Sequence, residues 1–291
     1  MLTAPTPWAE AFQRGIAINT AFIREVGPLR WAWRTVVRQY YKRIVKRDHA
    51  MQLPTGEWMT LPIQDHFASE AFIANGDVDW GSEALLASLL NRKGTFLDVG
   101  AHIGYYSLYV LPRVLSVYCF EPDPRVCALL ENNVGGKDNV LVIPWAVGAT
   151  KGRARFTLEC DAEISHLSAE GEDAANQIVV EVVTIDEFVR SRGLTVEAIK
   201  IDVEGHDADV IRGALDVLKE QQPLVLTEAR PDAKLFELAR LAAYRVFAFV
   251  RHPRTRKKWM AELFADQAIP GETKMLFLVP ERLSSEFIRL H

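Results

Sequence analysis

The chain has 291 residues, 49% hydrophobic and 25% charged, with a formal net charge of −4 at pH 7. That length suits one α/β domain with additions, or two small domains, and the composition excludes a disulfide-stapled miniprotein and a globally disordered chain. The charge is uneven: residues 1–50 hold nine Lys/Arg against three Asp/Glu, and residues 51–291 hold 25 against 35. An acidic body lacks the basic excess that phosphate neutralisation needs, so no nucleic-acid partner is expected, whereas the basic arm suits an anionic surface. Cys119, Cys127 and Cys160 show no metal-ligand or framework spacing, as in a reduced, cytoplasmic protein. Neither a secretory leader nor a run of about 18 apolar residues is read in the sequence.

Residues 8–26 and 29–47 read as helices broken at Gly27-Pro28. In the second, Arg30, Arg34, Arg38 and Lys42 recur at steps of four as a basic stripe beside Trp31, Trp33, Val37, Tyr40, Tyr41 and Ile44. Residues 50–63 alternate around Thr55-Gly56 as a hairpin. Residues 79–90 form a helix with Ser82 as N-cap and Leu85, Leu86, Leu89 and Leu90 as its buried face. From Gly94 onward apolar strands (95–99, 116–120, 140–144, 198–203, 224–227, 245–250, 275–279) alternate with helices (103–111, 125–133, 208–218, 234–241). That rhythm predicts a buried, mainly parallel sheet with helices on both faces. Residues 148–197 interrupt it, with 153–159 and 177–183 paired as a ribbon. The organisation is a basic helical extension (1–50), a hairpin and connector (51–79) and a domain over 80–291 with the insertion 148–197.

Three motifs carry chemistry. In Asp98-Val99-Gly100-Ala101-His102-Ile103-Gly104-Tyr105, a strand ends in a glycine turn that exposes N–H groups at a helix start. Its D-x-G-x-x-x-G spacing differs from the G-x-G-x-x-G of dinucleotide folds. The next strand ends in Glu121-Pro122-Asp123, about 20 positions on, where an acid can accept both hydroxyls of a ribose. The third, Lys200-Ile201-Asp202-Val203-Glu204-Gly205-His206-Asp207, places carboxylates at a strand's carboxyl end, and Glu228 ends the next strand. Asp202, Glu204 and Glu228 would repel one another unless Lys200 or a divalent metal such as magnesium compensates them. His206 is the side-chain type whose unperturbed pKa suits a general base.

DVGAHIG, FEPDP, and above all IKIDVEGHD followed by IRGAL, resemble the FkbM-type methyltransferases. The resemblance covers roughly residues 80–280. It implies a Rossmann-like class I methyltransferase fold, with a seven-stranded mainly parallel sheet whose last strand, 275–279, is antiparallel. It implies S-adenosylmethionine as cofactor and O-methylation of a hydroxyl on a carbohydrate or related natural product. The residues expected at the cofactor are Asp98, Gly100, Ala101, His102, Gly104, Tyr105, Glu121, Pro122, Trp145, Ala146 and Asp202. Those expected at the chemistry are Lys200, Asp202, Glu204, His206 and Glu228, and Asp202, Glu204 and Glu228 are the metal candidates. His102 departs from the Asn common in the family, and residues 164–168 resemble its substrate-side loop.

Two other classes stay open at this level: a nucleotide-sugar oxidoreductase, and a non-catalytic module that tethers partners. The expected location is cytoplasmic, with residues 29–47 available for peripheral membrane contact, for packing or for homo-oligomer contact. A second basic cluster, Arg251, Arg254, Arg256, Lys257 and Lys258, is either a phosphate subsite or a solvated loop.

Overall fold

A computed structural model describes residues 22–159, 165–168 and 176–289. The chain divides into two units, residues 1–51 with 61–78, and residues 52–60 with 79–291. The division places 61–78 with the N-terminal helix, whereas the sequence suggests a separate connector there.

In the first unit, residues 22–26 are helical, Gly27 turns at φ +91°, and α1 runs Pro28–Tyr40. Proline at the first helical position loses no intrahelical bond there. A π-helical turn, Tyr41–Val45, follows and closes on Lys46 in the left-handed conformation. The rest of the helix expected over 8–26 lies outside the described residues. Helix α2, His66–Ala74, has no counterpart in the sequence reading; Asp65 caps it by accepting from the Ala68 N–H at 2.5 Å.

Of the basic stripe of α1, Arg34 and Arg38 turn inward, whereas Arg30 is exposed. Arg38 is 1% exposed. Its guanidinium donates to Ser69 Oγ (3.1 Å), to the Leu61 carbonyl (3.2 Å) and to the Pro62 carbonyl, and it lies 3.2 Å from His49 Nδ1. Arg34 donates to the Phe72 carbonyl and to Asn75 Oδ1. A buried guanidinium is tolerable because carbonyls satisfy its fork of donors. Burial, and then the Arg38 charge, lower the His49 pKa to about 4. Strands β1 (His49–Gln52) and β2 (Trp58–Leu61) form the expected hairpin.

The second unit is built on an eight-stranded sheet. Its strands in chain order are β3 (Thr95–Val99), β4 (Ser116–Phe120), β5 (Val140–Ile143), β10 (Val196–Ile201), β11 (Leu224–Thr227), β12 (Tyr244–Arg251), β13 (Lys258–Leu263) and β14 (Glu272–Pro280). The spatial order is β13-β12-β14-β11-β10-β3-β4-β5. β11, β10, β3, β4 and β5 are parallel, and β14 is antiparallel to β11 and β12. This is the Rossmann-like methyltransferase topology with one strand added. β13 was not expected; it pairs antiparallel with β12, so the basic run from Arg251 to Lys258 is the turn of a hairpin.

Helices α3 (Ser82–Leu89), α4 (Tyr105–Val110), α5 (Pro124–Val134), α6 (Ile185–Arg192), α7 (Asp207–Arg212), α8 (Leu215–Gln221), α9 (Ala233–Leu241) and α10 (Glu281–Ile288) complete the unit. The N-cap of α3 is Gly81, and Ser82 is a buried first residue of the helix. The single helix expected over 208–218 is two, the first ending at the C-cap Gly213, where a Cβ would stand 2.2 Å from the Gly148 carbonyl oxygen. The expected insertion is only partly one. β6 (Ala146–Val147), β7 (Gly152–Thr157), β8 (His166–Leu167) and β9 (Gln177–Val183) make a second, four-stranded sheet, and α6 then leads into β10. β7 and β9 pair antiparallel as read from their alternation.

All five residues of β3 are buried, as a central strand covered on both faces requires. Phe120 and Phe188 meet edge to face at 4.8 Å within a core that also holds Leu97, Ile199, Ile201 and Val225. Removing the buried guanidinium of the first unit should leave two carbonyls without donors. Arg38→Ala is expected to cost about 2–4 kcal/mol, against about 0.5 kcal/mol or less for the exposed Arg30→Ala. Hydrogen exchange over residues 61–75 would check it: protection drops in the first variant and holds in the second.

Candidate active site

Parallel register brings the three motifs to one edge. On β10 and β3, Lys200 pairs with Asp98; on β3 and β4, Asp98 pairs with Cys119. The three side chains therefore share one face of the sheet. Asp98 is fully buried, and Lys200 is 4% exposed. Lys200 Nζ stands 3.2 Å from Asp202 Oδ2 and 3.8 Å from Asp98 Oδ1, and donates to the Gly100 carbonyl at 2.7 Å. Ser107, on α4, donates to Asp98 Oδ2 at 2.6 Å. A buried cation between two carboxylates is held by their charge; the pull of Asp202 and then of Asp98 exceeds the cost of burial, so the Lys200 pKa rises.

The backbone is drawn equally tight. Asp202 N–H donates to the Val99 carbonyl at 3.1 Å, and Glu228 N–H to the Ile201 carbonyl at 3.1 Å, which extends the ladder past the strand ends. Gly100 sits at φ +74°, and a Cβ there would lie 1.9 Å from the Asp202 carbonyl oxygen. Only glycine permits that approach. Gly104 serves packing instead: its missing Cβ makes room for Leu130 at 2.8 Å.

Glu121 is buried. Its two oxygens accept from the His102 N–H and the Asp123 N–H, each at 3.0 Å. Burial outweighs these donors and lifts its pKa to about 7. Asp98 also rises, by burial, against the opposing pull of Lys200 and Ser107. For Asp202, burial opposes ionisation, but Lys200 and a hydrogen bond with Glu228 prevail and hold its pKa below the usual carboxylate range. Glu228 moves the other way, by burial of its carboxyl and by the Asp202 charge. Its side chain still reaches solvent, which softens the burial share. The interaction thus drives the two titrations of the pair apart, Asp202 downward and Glu228 upward.

The remaining expected residues take more varied places. Glu204 protrudes from its turn at φ +44° and is exposed; partial burial and then the charges of Asp202 and Asp207 raise its pKa. His206 is the N-cap residue of α7, with Nε2 3.1 Å from the Leu167 carbonyl and Nδ1 3.6 Å from Asp209 Oδ2. Through Nε2, His206 ties the β8 segment to the start of α7. Tyr105 is buried and donates to Glu83 Oε1 at 3.0 Å, so its hydroxyl faces α3. His102 is partly buried at φ +49°, Ala101 is buried, and Pro122 is partly buried. Trp145 is partly buried against the core, next to the buried Ala146. Ile164 lies outside the described residues; Ser165 Oγ accepts from Glu159 N–H at 3.1 Å and from Arg125 at 3.3 Å.

Sequence reasoning passed over Ser107, Tyr106 and Asp79. Tyr106 donates to Asp79 Oδ2 at 2.6 Å, and Lys200 Nζ stands 5.7 Å from its ring centroid. The available signal was Ser107 itself, a hydroxyl in an apolar helix that must find a partner once buried. Among the described residues, no group of three or more His, Cys, Asp or Glu is arranged to hold a metal ion. Asp202, Glu204 and Glu228, the metal candidates of the sequence, form no such group. In the second basic cluster, Arg251 and Arg256 pair with Glu272 at 2.8 and 3.0 Å.

Residues 98–252, just over half the chain, match the Methyltransferase FkbM domain family. The chain belongs to that family. Membership makes it an enzyme of the methyltransferase class, which sets aside the oxidoreductase and tethering alternatives. The 2-O-methyltransferase NoeI of Sinorhizobium fredii is 28% identical over 172 residues, covering 52% of this chain and 70% of that protein. The hexuronic acid methyltransferase AglP of Haloferax volcanii is 26% identical over 140 residues, covering 46% of this chain and 56% of that protein. A solved methyltransferase FkbM from Methylobacillus flagellatus aligns at a TM-score of 0.41 with 15% identity, over 74% of this chain and 55% of that one. The FkbM match begins at Asp98 and ends at His252. It therefore takes in Lys200 and its partners and leaves out β13, β14 and the first unit.

Replacing Lys200 by Met should leave the buried Asp98 and the partly exposed Asp202 without their cation. A loss of about 3–5 kcal/mol is expected at pH 7. Without the cation both carboxylates titrate higher, so the loss shrinks as pH falls and they become neutral. Adding Asp98→Asn should recover part of it at neutral pH. Urea unfolding of the single and double variants across pH is the measurement; a pH-independent loss would contradict the charge argument.

Proposed function

We propose that this chain transfers the methyl group of S-adenosylmethionine to a hydroxyl of a carbohydrate, whether free, nucleotide-linked or lipid-linked, or of a related natural product. The two relatives named for methylation of a sugar position and of a hexuronic acid support the acceptor class. The observation that carries the chemistry is the Asp202–Glu228 pair on a buried lysine at the carboxyl edge of the sheet, where open α/β sheets bind their ligands.

The residues suit that cofactor. Asp98 Oδ1 is buried without a hydrogen-bond donor, with only Lys200 at 3.8 Å. Glu121 accepts one backbone bond on each oxygen, which leaves lone pairs for a diol. In this reading Asp98 and the turn from Gly100 to Gly104 hold the methionine end, Glu121 holds the ribose, and Trp145 and Ala146 flank the adenine. When bound, S-adenosylmethionine supplies an activated sulfonium methyl.

The protein must then align a hydroxyl and take its proton. Asp202 is ionised and partly exposed, so it accepts a hydrogen bond from the acceptor hydroxyl. The attacking oxygen becomes strongly acidic as its bond to the methyl carbon forms and the carbon–sulfur bond breaks, so a weak base such as this carboxylate suffices. Glu228 keeps its proton on the Asp202 side and limits the negative charge of the pair to one. Lys200 fixes Asp202 from beneath. His206 is not required as a base.

Two expected outcomes divide these roles. Asp202→Asn should keep cofactor affinity within about threefold and lower turnover by at least about a hundredfold. Glu121→Ala should weaken cofactor affinity. Calorimetry and turnover on both variants would check this, and equal affinity losses would contradict the division. Because the Glu121 carboxyl titrates at about 7 in the free protein, its better-accepting anion is lost as pH falls. Cofactor affinity should then drop by up to about tenfold for each unit below that value. Glu121→Gln should flatten this dependence.

A further inference from the structure

We propose that α1 and its π-helical continuation form a docking face for an anionic lipid bilayer. Leu29, Trp33, Val36, Tyr40 and Ile44 follow one another at steps of four, three, four and four, so they share one helical face. All five are exposed: Leu29 by 87%, Trp33 by 69% and Ile44 by 70%. A helix packed in the ordinary sense buries such a face. Here the opposite, basic face is the one in use, with Arg38 buried and Arg34 bonded to the Phe72 carbonyl and Asn75. The apolar stripe is therefore left outward by the way its own unit is assembled.

Charge selects the occupant. Residues 28–47 contain no Asp or Glu. Arg30, Arg43, Lys46 and Arg47 are exposed around the stripe. A second copy of this chain meeting the face through a two-fold axis would bring this cationic rim against itself. An anionic bilayer accepts both features. The apolar side chains enter the boundary of the acyl region, Trp33 and Tyr40 lie at the depth that amphipathic rings favour, and the cations meet the headgroups. Among the described residues no helix is long and apolar enough to cross a membrane. The contact is accordingly peripheral, with α1 lying in the plane of the surface. The inference uses a different unit from the methyltransferase site and stands independently of the acceptor.

The test is co-sedimentation of the full chain with vesicles of phosphatidylcholine alone or mixed with phosphatidylglycerol. Wild type, Trp33→Glu/Ile44→Glu and Arg43→Glu/Lys46→Glu would be compared. All four side chains are exposed, and an unchanged thermal midpoint would confirm folding. The expected result is binding to the anionic vesicles, at least tenfold weaker to phosphatidylcholine and in either double variant. Three results would overturn the proposal. One is no anionic-vesicle binding by the full chain, including the case where binding appears only after residues 1–21 are removed. Another is equal binding by the Trp33/Ile44 variant. The last is a wild-type dimer in sedimentation velocity that this variant converts to monomer without any vesicle binding.

Discussion

A lysine with almost no solvent holds the carboxyl edge of the sheet together. Lys200 reaches Asp98 on the neighbouring strand, the Gly100 carbonyl in the glycine turn and Asp202 beyond its own strand. Asp98 and Gly100 belong to the glycine-turn motif, and Asp202 to the acidic motif that carries Lys200 itself. Their common partner makes the turn, the strand end and the acidic loop one electrostatic object. Three polar groups so deep in the sheet are costly unless each is compensated. The cation, Ser107 and the Gly100 carbonyl provide that compensation.

The same lysine sets the titration of the edge. It favours charge on Asp202, and that charge, after burial, raises the pKa of Glu228. Glu121, supported by two backbone donors and no cation in contact, titrates near neutrality instead. Two carboxylates within one crevice are thus assigned different protonation states by what stands behind them. His206, which the sequence offers as a base, meets the Leu167 carbonyl of the β8 segment through Nε2.

The first unit shows the complementary constraint. Its helix turns arginines inward because carbonyls and an amide oxygen wait there for guanidinium donors, and this leaves aromatic and aliphatic side chains outside. A period of four marks both faces of this helix, so periodicity alone identifies two stripes without saying which one is buried. β13 escaped notice for a related reason. Lys258–Leu263 follows a cationic run, and its pairing with β12 is a long-range fact that local alternation does not encode.

The sequence by itself determined the alternation of strands and helices, the glycine turn, the acids at the strand ends and the FkbM family. These features rest on local periodicity and on short motifs whose geometry is dictated within a few residues. Only the tertiary structure decided which charges meet. Register across β3 and β10 placed Lys200 beside Asp98, the absence of a Cβ at Gly100 let Asp202 close over the turn, and the fold of the N-terminal helix buried Arg38 while leaving Trp33 and Ile44 exposed. Pairing between strands far apart in the chain is a property of their packing, and so is the protonation of the groups they bring together.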